Sequence, residues 1–199
     1  MRGAAAGITL VLALAGCSEG STSGDSEGTG DSRAAVAPFN PSQLAQAVPS
    51  ELAAPKGWKG ASPVVRDGSE VQKLCEQAAR FSCAGLTSHG SSRYTTSGAF
   101  VDFELLAYDS VDNAKVGMKS MVADIHDGKP DAKPLTVDAG ADETDAYADG
   151  DRPGVVLRVG TVVAFVFGET LPKDNDLQSF AKFQVQRINT SATGKNPDA

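Results

Sequence analysis

The sequence is poor in the side chains from which most active sites and nucleic-acid interfaces are built. It contains 2 histidines in 199 residues, and it has no nucleophile elbow, zinc-protease motif or phosphate-binding loop. The formal net charge is −7, and no run of lysine and arginine supplies the concentrated positive charge that binds phosphate backbones. We therefore expect a protein that is not an enzyme, uses no cofactor and does not bind nucleic acid.

Cysteine is also scarce, and the first of the 3 cysteines ends a distinctive segment, MRGAAAGITLVLALAGC. A single Arg2, a short apolar run and small residues follow each other in the order of a secretory signal. The apolar run is shorter than the roughly 20 residues that a membrane-spanning helix needs. The sequence Leu14-Ala15-Gly16-Cys17 resembles the lipobox of bacterial lipoproteins, in which the cysteine receives the lipid and the chain is cut just before it.

This resemblance predicts a signal peptide over residues 1–16 and a lipid-anchored protein at the extracytoplasmic face of a bacterial cell membrane. The anchor would be carried by Cys17, so the membrane is an expected partner through that residue. The alternative is an ordinary exported protein with an incidental cysteine near its cleavage site.

The other two cysteines, Cys75 and Cys83, form an even pair in a compartment where disulfides persist. Residues eight apart in a straight helix are about 12 Å from each other, beyond the roughly 7 Å that a disulfide can bridge between Cα atoms. A bridge therefore requires that the helix carrying Cys75 ends before Cys83. A reactive or metal-binding thiol pair is the alternative, but the C-x-x-C spacing is missing.

Composition divides the rest of the chain. Residues 17–37 are dense in glycine, serine and aspartate, which is typical of a flexible tether. Residues 38–190 carry the large apolar side chains and predict a single globular domain, and residues 191–199 predict a disordered polar tail.

Hydrophobic periodicity predicts the elements of this domain. Residues 99–108 alternate as a strand, and apolar residues at spacings of three and four follow Ser110 as a helix. Two apolar runs flank Gly160 as a hairpin, and Asp174 and Asn175 offer caps for a last helix. Because the connections are short, we expect an α+β fold: an antiparallel β-sheet with helices packed mainly on one face, and one disulfide.

An acidic segment between the predicted strands is the first candidate for ligand or partner contact. It contains four of the candidate residues, Asp142, Glu143, Asp145 and Tyr147. Asp145 to Gly150 matches part of an EF-hand loop, but a valine stands where the bidentate glutamate belongs, so we expect no metal there. Arg158, the single charge of the hairpin, is either an edge residue or a partner of these acids.

Three further residues have both a structural and a functional interpretation. Trp58 lies in a proline- and glycine-rich turn, where it either floors a binding groove or closes the edge of the core. His126 follows the apolar stripe of a predicted helix and is expected to interact with the helix dipole. His89 lies among glycine and serine residues, which favours a solvated turn.

The order of several short motifs resembles a known family, the actinobacterial (Streptomyces-type) lipoproteins whose domain is similar to the extracellular sensor domain of the mycobacterial kinase PknH. The motifs are Pro55-Lys56-Gly57-Trp58, Ala107-Tyr108, Ser110-Val111-Asp112-Asn113-Ala114, Asp142-Glu143-Thr144-Asp145-Ala146-Tyr147 and Arg158-Val159-Gly160-Thr161. The resemblance implies an antiparallel sheet flanked by helices, with a cleft for an unidentified ligand. The kinase sensor has two cysteine pairs where this chain has one.

These observations lead us to expect a lipid-anchored extracytoplasmic binding or sensor protein without catalytic activity, whose ligand is a small molecule, glycan or lipid of the cell envelope. The alternative is a protein-interaction or envelope-assembly factor. A third hypothesis, an envelope hydrolase, requires that His89 and an acidic side chain line one cleft.

Overall fold

The computed structural model describes residues 37–77 and 80–199. The predicted signal peptide, Cys17 and almost all of the tether lie outside the described residues. Within them, no helix combines the length and the apolar composition that crossing a bilayer requires.

Eight antiparallel strands form one sheet. They are β1 (Lys59–Gly60), β2 (Val64–Asp67), β3 (Leu86–Thr96), β4 (Ala99–Tyr108), β5 (Lys133–Pro134), β6 (Glu143–Asp149), β7 (Arg152–Val159) and β8 (Val162–Glu169). Their order across the sheet is β1-β3-β4-β8-β7-β6-β5, and β2 also pairs with β3. The long central strands β4 and β8 are neighbours in the sheet, although β5, β6 and β7 lie between them in the sequence.

The predicted hairpin around Gly160 is present as β7 and β8, which pair from Gly154 with Phe167 to Val159 with Val162. Gly160 adopts a φ of 58°, which favours glycine. The acidic segment, which was expected to lie between strands, is itself a strand: Glu143–Asp149 forms β6 and pairs along β7. Its acidic and alanine residues disfavour strands locally, so the pairing partner decides its conformation.

Within residues 37–77 and 80–199, four α-helices accompany the sheet. They are α1 (Pro41–Ala47), α2 (Gly68–Gln77), α3 (Val111–Gly128) and α4 (Leu177–Ala192), with 3₁₀ turns at Glu51–Ala53 and Lys173–Asn175. The Ser110 hydroxyl caps α3 as its position predicts, by accepting from the Asn113 amide. Asp176 caps α4, and the predicted caps Asp174 and Asn175 belong to the preceding 3₁₀ turn.

The helices lie on both faces of the sheet rather than mainly on one. Phe103 and Leu105 of β4 pack into the core shared with α1 and α4. Leu106 and Tyr108 of the same strand point the opposite way, into a second core with α3. The end of β4 thus carries apolar side chains on both faces of the sheet, and each face is buried by a helix. The α+β class and the antiparallel sheet are confirmed.

The disulfide is also confirmed. Cys75 and Cys83 are bonded, with their Cα atoms 5.9 Å apart. As the distance argument requires, α2 is described as Gly68–Gln77 and Cys83 lies beyond it. The bridge holds the end of α2 beside Phe81, which is buried in the α3 core.

The chain's C-terminal residues differ from the predicted disordered tail. Helix α4 continues to Ala192, two residues into the predicted tail. Beyond it, the Asp198 carboxylate pairs with the guanidinium of Arg187, whose Nη2 lies 3.0 Å from Oδ2. The composition of the tail is polar, but a buried arginine supplies the tertiary contact that orders it.

Candidate functional site

Among the described residues, the helices leave one half of the α3 face of the sheet uncovered. Helix α3 covers the end of the sheet near the β7–β8 turn, where Val156 and Val163 are fully buried. Towards the other end of the same strands, the side chains of Phe100, Phe165 and Phe167 are half-buried. Side chains two residues apart on a strand share a face, so this surface follows directly from the strand register.

The register places aromatic side chains in neighbouring rows. Phe167 of β8 pairs with Gly154 of β7, and Gly154 pairs in turn with Tyr147 of β6. The centroid of the Phe167 ring lies 5.9 Å from that of Phe100 and 6.1 Å from that of Phe165. We call this surface, defined by Phe100, Tyr147, Phe165 and Phe167, the aromatic trough.

Tyr147 forms the floor of the trough at its β6 side. A Cβ atom on Gly154 would lie 2.6 Å from the Tyr147 Cζ atom, so the phenol ring lies across β7 only because that residue has no side chain. Tyr147 is 1% exposed. Burial, with a contribution from the Asp149 charge, raises the pKa of its hydroxyl to about 12, and the floor is therefore uncharged at physiological pH.

Charged side chains surround the rings as ion pairs. The pairs are Arg80 with Glu104, Arg93 with Asp102, Lys129 with Asp149, and Arg152 with Glu169. Two of the cations also lie over rings: the Arg93 Cζ atom is 4.6 Å from the centroid of Phe100, and the Lys129 Nζ atom is 5.6 Å from that of Tyr147. The rim of the trough is therefore polar and largely neutralised.

The trough consists of two adjoining depressions. One, of about 470 Å³, lies over β3, β4 and β8, and the other, of about 380 Å³, lies between β8 and the end of α3. Both are lined by Arg80, Phe165 and Phe167, so they are continuous. Each volume alone falls in the range of small-molecule sites, about 300–1,000 Å³.

His89 and Glu104 line the first depression together, which is the arrangement that the hydrolase hypothesis requires. His89 belongs to β3 and is 5% exposed, so the predicted solvated turn is wrong. Its Nε2 atom lies 3.1 Å from Oε1 of Glu104, and its Nδ1 atom lies 3.5 Å from Nη1 of Arg66.

The protonation state of Glu104 argues against a role for this residue as a general acid. Burial raises the pKa of the Glu104 carboxyl, but hydrogen bonds and charges from His89 and Arg80 outweigh it, and the net shift is downward. Glu104 is therefore ionised and already occupied by two donors. Among the hydrogen bonds of the described residues, none joins His89 to a serine or threonine hydroxyl, so a nucleophile-and-base pair is not formed.

Trp58 lies on the opposite face of the sheet. It is 8% exposed, and its ring packs edge-on against Phe180 of α4 with centroids 5.2 Å apart. Of the two interpretations, the structure has the one in which Trp58 closes the edge of the core, and it does not bring this residue to the trough.

Three other predicted contact residues form an ion cluster. The Arg158 guanidinium donates to the carboxylates of Asp142 and Glu143, with an N···O distance of 3.0 Å in each case. Asp142 also accepts from the Gly160 amide. Arg158 is 6% exposed. Of the two alternatives for this residue, the pairing with the neighbouring acids is the one found, and its geometry joins the start of β6 to the β7–β8 turn.

The remaining acids of the predicted calcium-like segment lie along strand β6. Asp145 is 3.1 Å from the Nε2 atom of His126, in the last turn of α3, and Asp149 is 2.7 Å from the Lys129 ammonium. Over residues 37–77 and 80–199, no group of three or more metal-ligating side chains converges. Of all the predicted contact residues, only Tyr147 belongs to the aromatic trough.

The main residues of the trough were missed at the sequence level. The alternation of residues 99–108 and the apolar runs around Gly160 predict strands, but they do not indicate that Asp102, Glu104, Phe165 and Phe167 lie together on one face. The signal in the sequence is the alternation of residues along β4. Phe100 shares its face with Asp102 and Glu104, since all three alternate with the core residues of this strand. Aromatic residues in phase with charged ones mark a face that is open to solvent.

Comparison with known proteins gives a fold relationship. No family model matches the chain, and no curated protein matches it. The extracellular domain of PknH from Mycobacterium tuberculosis is similar in structure, with a TM-score of 0.53 and 12% identity over 78% of this chain and 99% of that one. An uncharacterised protein from Mycobacterium smegmatis, an Rv0999 ortholog, has a TM-score of 0.42 and 11% identity over 77% and 96% of the two chains. The similarity to the PknH extracellular domain supports the PknH-like fold expected from the sequence motifs.

Proposed function

We propose that this chain is an extracytoplasmic binding or sensor-type domain without catalytic activity, and that the aromatic trough is its ligand site. The observation that carries the proposal is the row of half-buried phenyl rings on an uncovered sheet face. Burying such rings against a ligand is favourable by about 25 cal/mol per Å² of apolar area, and folding alone leaves them open to water.

The ion pairs around the trough support binding rather than catalysis. Each of the carboxylates of Asp102, Glu104 and Asp149 is already engaged by a cation, so none of them is free to act on a substrate. A rigid rim of this kind holds donors and acceptors in place before a ligand arrives, which reduces the entropic cost of binding.

Two observations support the extracytoplasmic location. The Cys75–Cys83 disulfide is typical of an oxidising compartment, and the fold is shared with a domain described as extracellular. The lipid anchor at Cys17 rests on the sequence motif. Replacing Cys17→Ser should release the protein from the membrane fraction into the soluble one, and retention of the variant in the membrane would contradict the anchor.

Thermal stability in the presence of actinobacterial cell-envelope fractions tests the proposed function. A ligand that binds only the folded state raises the melting temperature, and Phe167→Ala should abolish that rise. The matched control is Leu52→Ala, since Leu52 is 89% exposed and lies away from the trough. Absence of stabilisation by every fraction would contradict the proposal. Equal stabilisation of the Phe167→Ala variant would show that the trough is not the site.

A further inference from the structure

We infer that the ligand of the aromatic trough is an uncharged glycan, bound with the apolar faces of its sugar rings on Phe165 and Phe167 and its hydroxyl groups on the surrounding ion pairs. This inference rests on the proposed function and names the chemical class of its ligand.

The charge of the trough argues against an ionic ligand. Its lining contains three long cations, Arg80, Arg93 and Lys129, and each of them is paired with a carboxylate. One further carboxylate, Asp124, lies at the rim. An anionic ligand would have to displace these carboxylates from their cations and lie beside Asp124. A phosphate-rich polymer or a phospholipid headgroup therefore does not fit.

A cationic ligand finds its best positions already filled. The negative face of an aromatic ring attracts cations, but Arg93 lies over Phe100, and Lys129 lies 5.6 Å from the centroid of Tyr147 and 5.8 Å from that of Phe167. Among the cation–ring contacts of the described residues, none involves Phe165. Phe165 lines both depressions beside Phe167, so it is the ring that remains available to an uncharged ligand.

The ion pairs match the hydrogen bonding of hydroxyl groups. A hydroxyl donates one hydrogen bond and accepts others, whereas a guanidinium only donates and a carboxylate only accepts. The side chains of Arg93 and Asp102 are 53% and 32% exposed, so both retain groups that face solvent beside the rings. Adjacent hydroxyls of a sugar can accept from the guanidinium and donate to the carboxylate without separating the pair.

The rings match the other side of a sugar. The C–H groups on one face of a pyranose carry partial positive charge and pack on the negative face of an aromatic ring. Neighbouring centroids in the row are 5.9 and 6.1 Å apart, a spacing close to that of adjacent sugars in a chain. The row crosses from β8 to β4, so it offers contacts to consecutive sugars rather than to one.

The charged lining argues against the remaining envelope ligand, an acyl chain. An acyl chain placed in the first depression would desolvate Arg80, Arg93, Asp102 and Glu104 without satisfying their hydrogen bonds. A glycan keeps them satisfied.

The test uses the full chain and an actinobacterial envelope fraction that has been freed of lipid by organic extraction and of protein by protease digestion. We expect this fraction to raise the melting temperature, and oxidation with periodate, which cleaves vicinal diols, to abolish the effect. The effect should persist in about 0.5 M salt, because an uncharged ligand is not screened. Stabilisation that survives periodate, or that lipid extraction or protease removes, overturns the glycan inference but leaves the proposed function standing. If neither crude nor purified fractions stabilise the protein, the proposed function itself fails.

Two variants locate the contact. Phe167→Leu keeps an apolar side chain but removes the aromatic face, and we expect about a fivefold higher half-saturating concentration of the purified fraction, which is the change that a ring contact of about 1 kcal/mol gives when 1.4 kcal/mol is tenfold. Asp102→Asn removes the charge-assisted acceptor and should weaken binding in the same direction. Leu52→Ala should bind as the wild type does. Unchanged binding by both trough variants, with urea midpoints that show they are folded, would overturn the inference.

Discussion

Replacing Arg187→Met should strongly destabilise the protein, although this residue lies far along the chain from the groups it binds. Arg187 is in α4 and is 3% exposed. Its guanidinium donates to the main-chain oxygens of Gln46, Ala47 and Val48, at N···O distances of 2.7, 3.2 and 3.1 Å. These oxygens are at the end of α1, where a helix leaves its carbonyl groups without internal partners.

The magnitude follows from what the substitution leaves behind. Methionine replaces most of the apolar stem of arginine, so the cavity is small. The Gln46 and Val48 carbonyls and the Asp198 carboxylate lose the guanidinium donor, and the Ala47 carbonyl keeps only the bond from the Gln184 side-chain amide. Removing one partner of a buried charged network costs about 3–5 kcal/mol. Because domains are stable by about 5–15 kcal/mol, we expect a large fall in the urea midpoint.

Urea denaturation at neutral pH measures the effect. The matched control is Lys182→Met, which removes a cation from an exposed position of the same helix and should change the free energy of unfolding by less than about 0.5 kcal/mol. Arg187→Lys keeps a charge but loses the planar set of donors, and an intermediate loss is expected. A loss below about 1 kcal/mol for Arg187→Met would refute the reasoning, since α1 would then be held to α4 by other contacts.

Three further outcomes are expected. Replacing both Cys75 and Cys83 by alanine should lower the free energy of unfolding by about 2.5 kcal/mol, the chain entropy of the short loop they close, and denaturation of the two forms checks this. Gly154→Ala should cost about 1–3 kcal/mol in urea because its Cβ displaces the Tyr147 ring, and absorbance titration should show the Tyr147 pKa falling from about 12 towards 10 as the ring becomes exposed. The hydrogen bond from Arg187 holds the pKa of the Asp198 carboxyl below its usual value, so its stabilising effect is present above about pH 4 and is lost as the pH falls through the lowered pKa. Denaturation between about pH 5 and 2 should therefore show a shallower loss of stability for Asp198→Asn, and an equal loss would contradict the pairing.

Much of the fold was predictable because it depends on local periodicity. The alternation of residues 99–108, the cap at Ser110 and the hairpin at Gly160 are encoded within a few residues of each other, and the structure contains all three. The disulfide followed from the even pair of cysteines expected in an oxidising compartment, and the distance argument required α2 to end before Cys83. Strand β6 was missed because its polar residues have low strand propensity and its conformation comes from pairing with β7.

The candidate site was less predictable because it depends on which part of the sheet the helices cover. His89 was assigned to a turn, since its glycine and serine neighbours do not indicate a strand; pairing with β4 places it there and brings it to Glu104. Most of the predicted contact residues form internal ion pairs or pack in the core, and only Tyr147 reaches the trough.

Which residues share a face in the periodic strands could be read from the sequence, because alternation is a short-range property, and the cysteine content made Cys75 and Cys83 the candidates for a disulfide. The tertiary structure was needed to show that α3 covers one half of its face of the sheet, that Phe165 lies at the edge of the α3 core, and that Phe165 and Phe167 stay half-buried. The physical reason is that a strand's alternation divides its side chains between two faces but carries no information about which part of a face a distant helix will cover.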